Sequence, residues 1–204
     1  MLIETARITA RERYGLLTSL VVPRPIAWIS TRSRKGARNL APFSYFAALS
    51  ASPMLVGISI GHRQGRPKDS LRNIVQTGAF CVNLVTEPML ERMNATSVDA
   101  PPEVDEFDRA AVRAAEAETI DAPYVDDCPA VLECVLEREV DLSPAPNTLV
   151  IGQVRAVRLA DTLVPALETG RVPDDALRPV ARLAGTRYAF LGERHDLPRP
   201  PSEL

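Results

Sequence analysis

The segment 65–73 has the residue types that bind phosphate groups. It carries three cations, Arg66, Lys68 and Arg72, around the predicted start of a helix. The first turn of a helix leaves backbone N–H groups free and has a partial positive charge. Ser70 adds a hydroxyl there, and Gly65 lets the backbone come close to a ligand. The segment predicts a site for a phosphate monoester; a capped surface helix with exposed cations is the alternative interpretation.

The segment 39–46 is typical of a site for a conjugated ring. It holds three of the nine Phe and Tyr residues of the chain, Phe43, Tyr45 and Phe46, with the small polar residues Asn39 and Ser44 among them. A flavin needs an apolar surface for one end of its ring and hydrogen-bonding groups for the other. An aromatic core strand with polar residues facing solvent is the alternative.

Most of the elements that must position these segments are predicted strands. Runs of aliphatic and aromatic residues bounded by turn residues predict strands at 26–29, 40–47, 54–60, 79–85, 130–142 and 148–159. The last of these alternates best between polar and apolar residues, which indicates one wet face. Their spacing favours successive antiparallel strands with tight connections.

Two short helices are predicted between the strands. At 69–77 the residues Leu71, Ile74 and Val75 share one helical face, Asp69 or Ser70 can cap the start, and Gly78 follows the end. A second helix, 87–95, has a proline in its first turn. The segment 99–127 contains ten acidic residues and two arginines, which predicts a solvated, partly helical excursion.

The order of these elements predicts a mainly β fold with peripheral helices. A βαβ rhythm and a GxGxxG motif are both missing from the sequence, which argues against a dinucleotide-binding Rossmann domain. An antiparallel, closed or nearly closed barrel fits better. We expect one domain over 1–204, with its core at about 14–188 and a Pro-rich tail at 193–204.

Composition narrows the function further. The net charge of −2 gives no global field that would recruit nucleic acid or an anionic membrane. The three cysteines contain no CxxC pair and predict reduced thiols, some of them in the core. Neither a membrane-spanning apolar window nor a signal-peptide stretch is present in the sequence, so a cytoplasmic protein is the default expectation.

Several short motifs together resemble the flavin reductase-like, FMN-binding split-barrel family. They occur in the order and spacing of that family and cover roughly 14–188. The matching stretches are 22–31 (VPRPIAWIST), 39–46 (NLAPFSYF), 68–74 (KDSLRNI), 80–84 (FCVNL), 105–107 (DEF), 132–134 (LEC), 149–154 (LVIGQV) and 182–188 (RLAGTRY).

This resemblance implies a split β-barrel, a homodimer, and FMN bound near the subunit interface. It implies that the phosphate is held around Lys68 and Ser70, that the ring lies beside 42–46, and that two late residues lie near the cofactor. The candidate cofactor-binding residues are Thr31, Asn39, Pro42, Phe43, Ser44, Tyr45, Phe46, Arg66, Lys68, Asp69, Ser70, Arg72, Arg182 and Tyr188. The family commonly has Thr at the position of Ser70 and often a Gly soon after Asp-Glu-Phe, which this chain lacks.

The predicted function is an NAD(P)H-dependent flavin reductase or related oxidoreductase in which the flavin itself performs the chemistry, without a catalytic side chain. No metal-binding motif is present. We expect His62 to be an exposed loop residue and His195 to lie in the tail. Two alternatives stay open: a flavoredoxin-like electron carrier with tightly bound FMN and no nicotinamide site, and a haem-binding module on the same barrel.

Overall fold

The computed structural model describes residues 1–164 and 170–200, and its secondary structure is mainly β. The strands are β1 (Arg24–Pro25), β2 (Ala27–Arg32), β3 (Arg38–Phe43), β4 (Phe46–Ala51), β5 (Met54–Gly61), β6 (Ala79–Leu84), β7 (Ala114–Glu116), β8 (Pro123–Val125), β9 (Ala130–Asp141), β10 (Asn147–Leu159), β11 (Val180–Arg182) and β12 (Tyr188–Phe190). The helices are α1 (Ala10–Leu20), α2 (Asp69–Thr77), α3 (Leu90–Ala95), α4 (Glu106–Arg109) and α5 (Asp174–Leu177).

A seven-stranded antiparallel sheet dominates the fold, in the order β3-β2-β6-β9-β10-β5-β4. The two ends of this order, β3 and β4, are consecutive in the chain, so the sheet must curve for the short connection at 44–45 to join them. Two smaller sheets flank it, β1-β11-β12 and β7-β8. The expected mainly β split barrel is confirmed.

Strands β2 and β6 of the main sheet are buried on both faces, which explains why most of their residues are apolar. Successive residues of a strand point to opposite faces. In β2, Ala27 and Ile29 therefore pack with Phe80 in one core cluster, while Trp28 packs with Phe107 in the other. Gly152 is required where β10 passes Phe80, because a Cβ there would lie 2.4 Å from the ring.

The helix predicted at 69–77 is confirmed to the residue as α2, and it ends at Gly78 in the left-handed conformation with φ 75°. Its N-cap is Lys68 without a side-chain cap bond, so the prediction of Asp69 or Ser70 as the cap was wrong. The segment 87–95 forms a 3-10 turn, Glu87–Met89, followed by α3. The remaining predicted strands match observed ones to within a few residues.

The single strand predicted at 40–47 was wrong. The chain leaves β3 at Phe43, passes through Ser44 and Tyr45, and begins β4 at Phe46. β3 pairs with β2, whereas β4 pairs with β5 at the other end of the sheet order. The change of pairing partner requires a break, and the carbonyl of Tyr45 accepts a bond from the Ser59 N–H at 2.8 Å.

The prediction of a solvated excursion at 99–127 was also wrong in part. Its acidic residues are mostly exposed, but Phe107, Val112, Tyr124 and Val125 are buried in the core cluster around Trp28. The segment forms α4 and the β7-β8 hairpin. It therefore covers one face of the main sheet.

All three cysteines, Cys81, Cys128 and Cys134, are buried and free. Burial raises the pKa of Cys128 and of Cys134 to about 12. The expectation that cysteines lie in the core is confirmed. None of the helices in the described residues is long and apolar enough to cross a membrane.

Candidate functional site

Two adjoining cavities lie beside the break between β3 and β4. The first, of about 450 Å³, includes Asn39, Lys68 and Ser70 in its lining, and we call it the Ser70 cavity. The second, of about 500 Å³, includes Arg24 and Arg182, and we call it the Arg24 cavity. Both volumes fall in the range of small-molecule sites. Pro42, Phe43, Lys68 and Ser97 line both cavities, so the two cavities share a wall.

The N-terminus of α2 forms one wall of the Ser70 cavity. Its first backbone bond runs from the Arg72 N–H to the Lys68 carbonyl at 3.0 Å, so the N–H groups that precede Arg72 have no partner within the helix. The guanidinium of Arg72 is paired with Asp69. Arg66 and Lys68 also line the cavity, and neither has a carboxylate partner among the described residues. The wall therefore has donors and net positive charge.

A buried hydrogen-bond network lies behind this wall. The amide oxygen of Asn39 accepts bonds from the Ser70 hydroxyl at 2.8 Å and the Thr31 hydroxyl at 3.3 Å. The Asn73 amide donates in turn to the Thr31 oxygen at 3.0 Å. Thr31 is completely buried, which means that it orients Asn39 from behind and does not reach the cavity.

Glu106 also lines the Ser70 cavity and completes the network. Its Oε2 atom accepts bonds from the Asn39 amide at 3.0 Å and the Leu40 N–H at 3.1 Å. Burial raises the pKa of Glu106, against the lowering effect of these bonds, and the nearby charge of Asp69 raises it further. A carboxyl group that holds its proton more strongly than usual thus lies in the lining of the cavity.

The position of Glu106 depends on α4. Arg38 pairs with Asp105 at 2.6 Å and with Asp108 at 3.0 Å, and its guanidinium lies 5.5 Å from the centre of the Phe107 ring. The Asp105 carboxylate accepts a bond from the Phe107 N–H at 2.9 Å and caps the helix. These contacts fix α4 against β3.

The Arg24 cavity begins at the wall that it shares with the Ser70 cavity. We call this wall, formed by Pro42, Phe43, Lys68 and Ser97, the shared wall. The Lys68 ammonium lies 5.6 Å from the centre of the Phe43 ring, and Ser44 follows at the end of β3. On the far side, the Arg182 guanidinium lies 4.6 Å from the centre of the Tyr188 ring, and the Tyr188 hydroxyl donates to Asn94 at 3.0 Å. The cavity therefore joins aromatic surface with cationic groups.

The structure brings most of the candidate residues together. Those that line one or both cavities are Asn39, Pro42, Phe43, Ser44, Arg66, Lys68, Asp69, Ser70, Arg72, Arg182 and Tyr188. Thr31, Tyr45 and Phe46 line neither cavity. Tyr45 is half-buried in the connection between β3 and β4, and Phe46 packs against the barrel core.

Sequence reasoning missed several polar residues of the lining, among them Arg24, Asn94, Ser97 and Glu106. Arg24 and Glu106 lie inside quoted motifs, 22–31 and 105–107, which was the available signal. His62 is half-buried and bonded to Thr148 at 3.1 Å, not an exposed loop residue as expected, and His195 is exposed. The residues described by the structure contain no cluster of three or more His, Cys, Asp or Glu that could hold a metal ion.

Comparison with known proteins identifies similar chains. The family description "Flavin reductase like domain" matches residues 19–171. An uncharacterized protein of Halalkalibacterium halodurans is 38% identical over 95% of this chain and 93% of its own length. The structure of nitrilotriacetate monooxygenase component B from Bacillus cereus is 34% identical, with a TM-score of 0.91 over 97% of this chain and 98% of that one. The structure of 2-nitrobenzoate 2-nitroreductase from Pseudomonas fluorescens is 32% identical, with a TM-score of 0.89 over 100% of both chains.

The raised pKa of Glu106 predicts a pH dependence of stability. The folded chain holds this proton more tightly than the unfolded chain, so the free energy of unfolding falls as the pH rises through the folded pKa. Glu106→Gln keeps an acceptor for Asn39 and Leu40 and removes the titration. We expect the free energy of unfolding of this variant, minus that of the unmodified protein, to rise from acidic to neutral pH. Urea unfolding at several pH values measures this difference.

Glu103→Gln is the matched control, because Glu103 is an exposed residue of the same segment. Its unfolding free energy should follow that of the unmodified protein at every pH. If the difference between Glu106→Gln and the unmodified protein stays constant with pH, the assignment of the raised pKa is wrong.

Proposed function

The chain belongs to the flavin reductase like family, and on that premise we propose that it is an FMN-dependent oxidoreductase that uses NADH or NADPH as electron donor. The observation that carries the proposal is that the two cavities adjoin at Lys68. One has the donors that a phosphate needs, and the other begins at the aromatic end of β3. A ligand with a phosphate at one end and a ring at the other fits that arrangement.

The Ser70 cavity suits the phosphate of FMN. The free N–H groups at the start of α2 and the charges of Lys68 and Arg66 favour a phosphate monoester. Asp69 already neutralises Arg72, so Lys68 and Arg66 would supply the charge. The Ser70 hydroxyl donates to Asn39 and would turn to a phosphate oxygen, while Asn39 keeps its bond from Thr31.

The end of β3 suits the ring. Pro42 and Phe43 give apolar surface, and the break at Ser44 leaves irregular backbone with N–H groups outside the regular ladder. When bound, FMN would supply hydride transfer at N5. The chain would hold the ring and exclude water from one side.

The two solved relatives named above are a monooxygenase component and a nitroreductase by their descriptions, which supports an oxidoreductase. The Arg24 cavity favours a reductase over a flavoredoxin-like carrier, because it gives a second molecule room beside the ring. A carrier without its own nicotinamide site is the alternative.

The proposal includes a homodimer, supported by exposed apolar residues of α1 and its C-cap. Tyr14, Leu17, Leu20 and Val21 are all more than half exposed, whereas Thr18 is the buried residue of the helix. Exposed apolar patches of this kind mark interfaces. Tyr14 and Thr18 also line the Arg24 cavity, so this interface would lie next to the proposed ring site.

The phosphate site predicts a selective loss of FMN. Lys68→Ala combined with Ser70→Ala should weaken FMN binding by about 2–4 kcal/mol, because charge-assisted bonds contribute ~1.5–3 kcal/mol each and are not additive. Riboflavin, which has no phosphate, should bind both proteins equally in fluorescence titration. Lys35→Ala is the control, because it removes the other lysine of the chain, which is exposed and lines neither cavity. Equal FMN affinity in the double variant and the control would contradict the phosphate site.

The reductase predicts direct reduction by a nicotinamide. FMN-loaded protein mixed anaerobically with NADH or NADPH should lose its visible flavin absorbance without a partner protein, because the second cavity admits the donor. Bleaching that requires an added partner would favour the carrier. A Soret band in place of flavin absorbance would favour the haem-binding alternative and contradict the proposal.

The dimer predicts that a charge among the exposed apolar residues of α1 separates the subunits. Leu17→Asp should sediment as a monomer, since a buried unpaired carboxylate costs several kcal/mol. Ser19→Asp adds the same charge at another exposed position of the helix and should stay dimeric. A monomeric unmodified protein, or a dimeric Leu17→Asp, would contradict the interface.

A further inference from the structure

We infer that the Arg24 cavity binds a second substrate through a carboxylate group. The inference rests on the proposed function, since it places this substrate beside FMN. Three cations line the cavity, Arg24, Lys68 and Arg182. Within residues 1–164 and 170–200, no Asp or Glu lines it. A cavity with charge of one sign concentrates ligands of the opposite sign.

Arg24 provides the strongest signal because it is buried without a counter-ion. Its residue is 6% exposed. It donates to the carbonyls of Thr18 at 2.8 Å, Val21 at 2.7 Å and Leu183 at 3.1 Å, and to the Ser44 hydroxyl at 3.4 Å. These partners are all neutral. A guanidinium has five N–H groups, and the fifth has no acceptor in the described part of the chain.

A buried charge without a counter-ion is costly. Carbonyl oxygens offset part of this cost but do not neutralise the charge. An anion that enters the cavity would neutralise the charge of Arg24. The binding free energy gained in this way is not available to a neutral ligand of the same shape. The position of Arg24 at the rim of a cavity thus favours an anionic ligand.

Arg182 is held in place on the other side of the same cavity. Its guanidinium stacks on Tyr188 and donates to the Tyr188 hydroxyl and the Gly185 carbonyl. A planar guanidinium fixed in this way matches the fork geometry of a carboxylate. Because few of its rotamers remain free, little conformational entropy would be lost on binding.

The division of charge between the cavities indicates a ligand separate from FMN. Lys68 lies on the shared wall, and the proposed FMN phosphate would use it. Arg24 and Arg182 line the Arg24 cavity and not the Ser70 cavity. After the phosphate is bound, these two charges still lack an anion.

The apolar part of the lining defines the body of the ligand. Ile26, Phe43, Met93 and Tyr14 lie among the cations. In the part of the cavity that the flavin ring would leave free, this surface suits a small aromatic or aliphatic monocarboxylate. The phosphates of a nicotinamide nucleotide are the other source of negative charge, and they would leave the apolar surface less well used.

Benzoate and benzamide test the inference, because they share a shape and differ in charge. Each is titrated into FMN-loaded protein, with heat of binding and the visible flavin spectrum as readouts. Benzoate should bind more tightly than benzamide and perturb the flavin spectrum. Arg182→Met should weaken benzoate by about tenfold, the factor that one charge-assisted contact supplies, and should leave benzamide unchanged.

Two further variants make the result specific. Arg182→Lys keeps the charge and should recover part of the affinity for benzoate. Arg187→Met removes an exposed arginine of the same loop that does not line the cavity, and it should bind benzoate normally. Arg24→Met is less suitable, because Arg24 also ties α1 to the barrel.

The outcomes separate the inference from the proposed function. Equal binding of benzoate and benzamide, or an unchanged benzoate affinity in Arg182→Met, overturns the carboxylate site while FMN binding stands. The carboxylate site is also overturned if the unmodified protein does not bind benzoate and Arg182→Met loses affinity for NADH or NADPH. Failure of the unmodified protein to bind FMN overturns the proposed function, and benzoate binding to the flavin-free protein is then the measure of the carboxylate site.

Discussion

The candidate site depends on the side-chain amide of Asn39. Its oxygen accepts from Ser70 on α2 and from Thr31 on β2, and its nitrogen donates to Glu106 on α4. Three elements that are distant in the chain thus meet at one planar group. An amide has both acceptors and donors, which neither a carboxylate nor an ammonium could offer here. The network sets where the start of α2 lies relative to β3, and through this the shape of the Ser70 cavity.

The order of the strands produces the second part of the site. Because β3 and β4 lie at opposite ends of the sheet order, the chain must change partners immediately after Phe43. The irregular backbone at 44–45 is the consequence. Binding groups often lie where regular pairing stops, since the backbone groups there are not all used in the ladder. The cavities meet beside this break.

Local sequence patterns were enough for elements whose signals are local. The apolar spacing of α2 and the glycine after it predicted that helix, and the long strands β9 and β10 were found from composition. The same principle would have found α1, where Thr9 and Glu12 form a capping box. No helix was predicted in this region.

The other misses concern contacts between distant parts of the chain. Glu106 is 67 positions from Asn39, and nothing in a run of acidic residues indicates which one will be buried. Tyr45 and Phe46 lie in the aromatic motif, but the break between β3 and β4 separates them from the cavities. The break depends on pairing with β5, which no local pattern contains. For the same reason, Arg24 was quoted in a motif while its role as a buried charge was not recognised.

The distribution of charge explains how a chain with a net charge of −2 can present two cationic cavities. Acidic residues of 99–127 pair with arginines away from the Arg24 cavity, such as Arg38 with Asp105 and Arg32 with Glu116. In the Ser70 cavity, Asp69 neutralises Arg72 and Glu106 resists ionisation. Among the described residues that line the two cavities, the cations without a carboxylate partner are Arg24, Arg66, Lys68 and Arg182. Since charge that is already paired contributes little to recognition, the positions of the unpaired cations decide where an anion can bind.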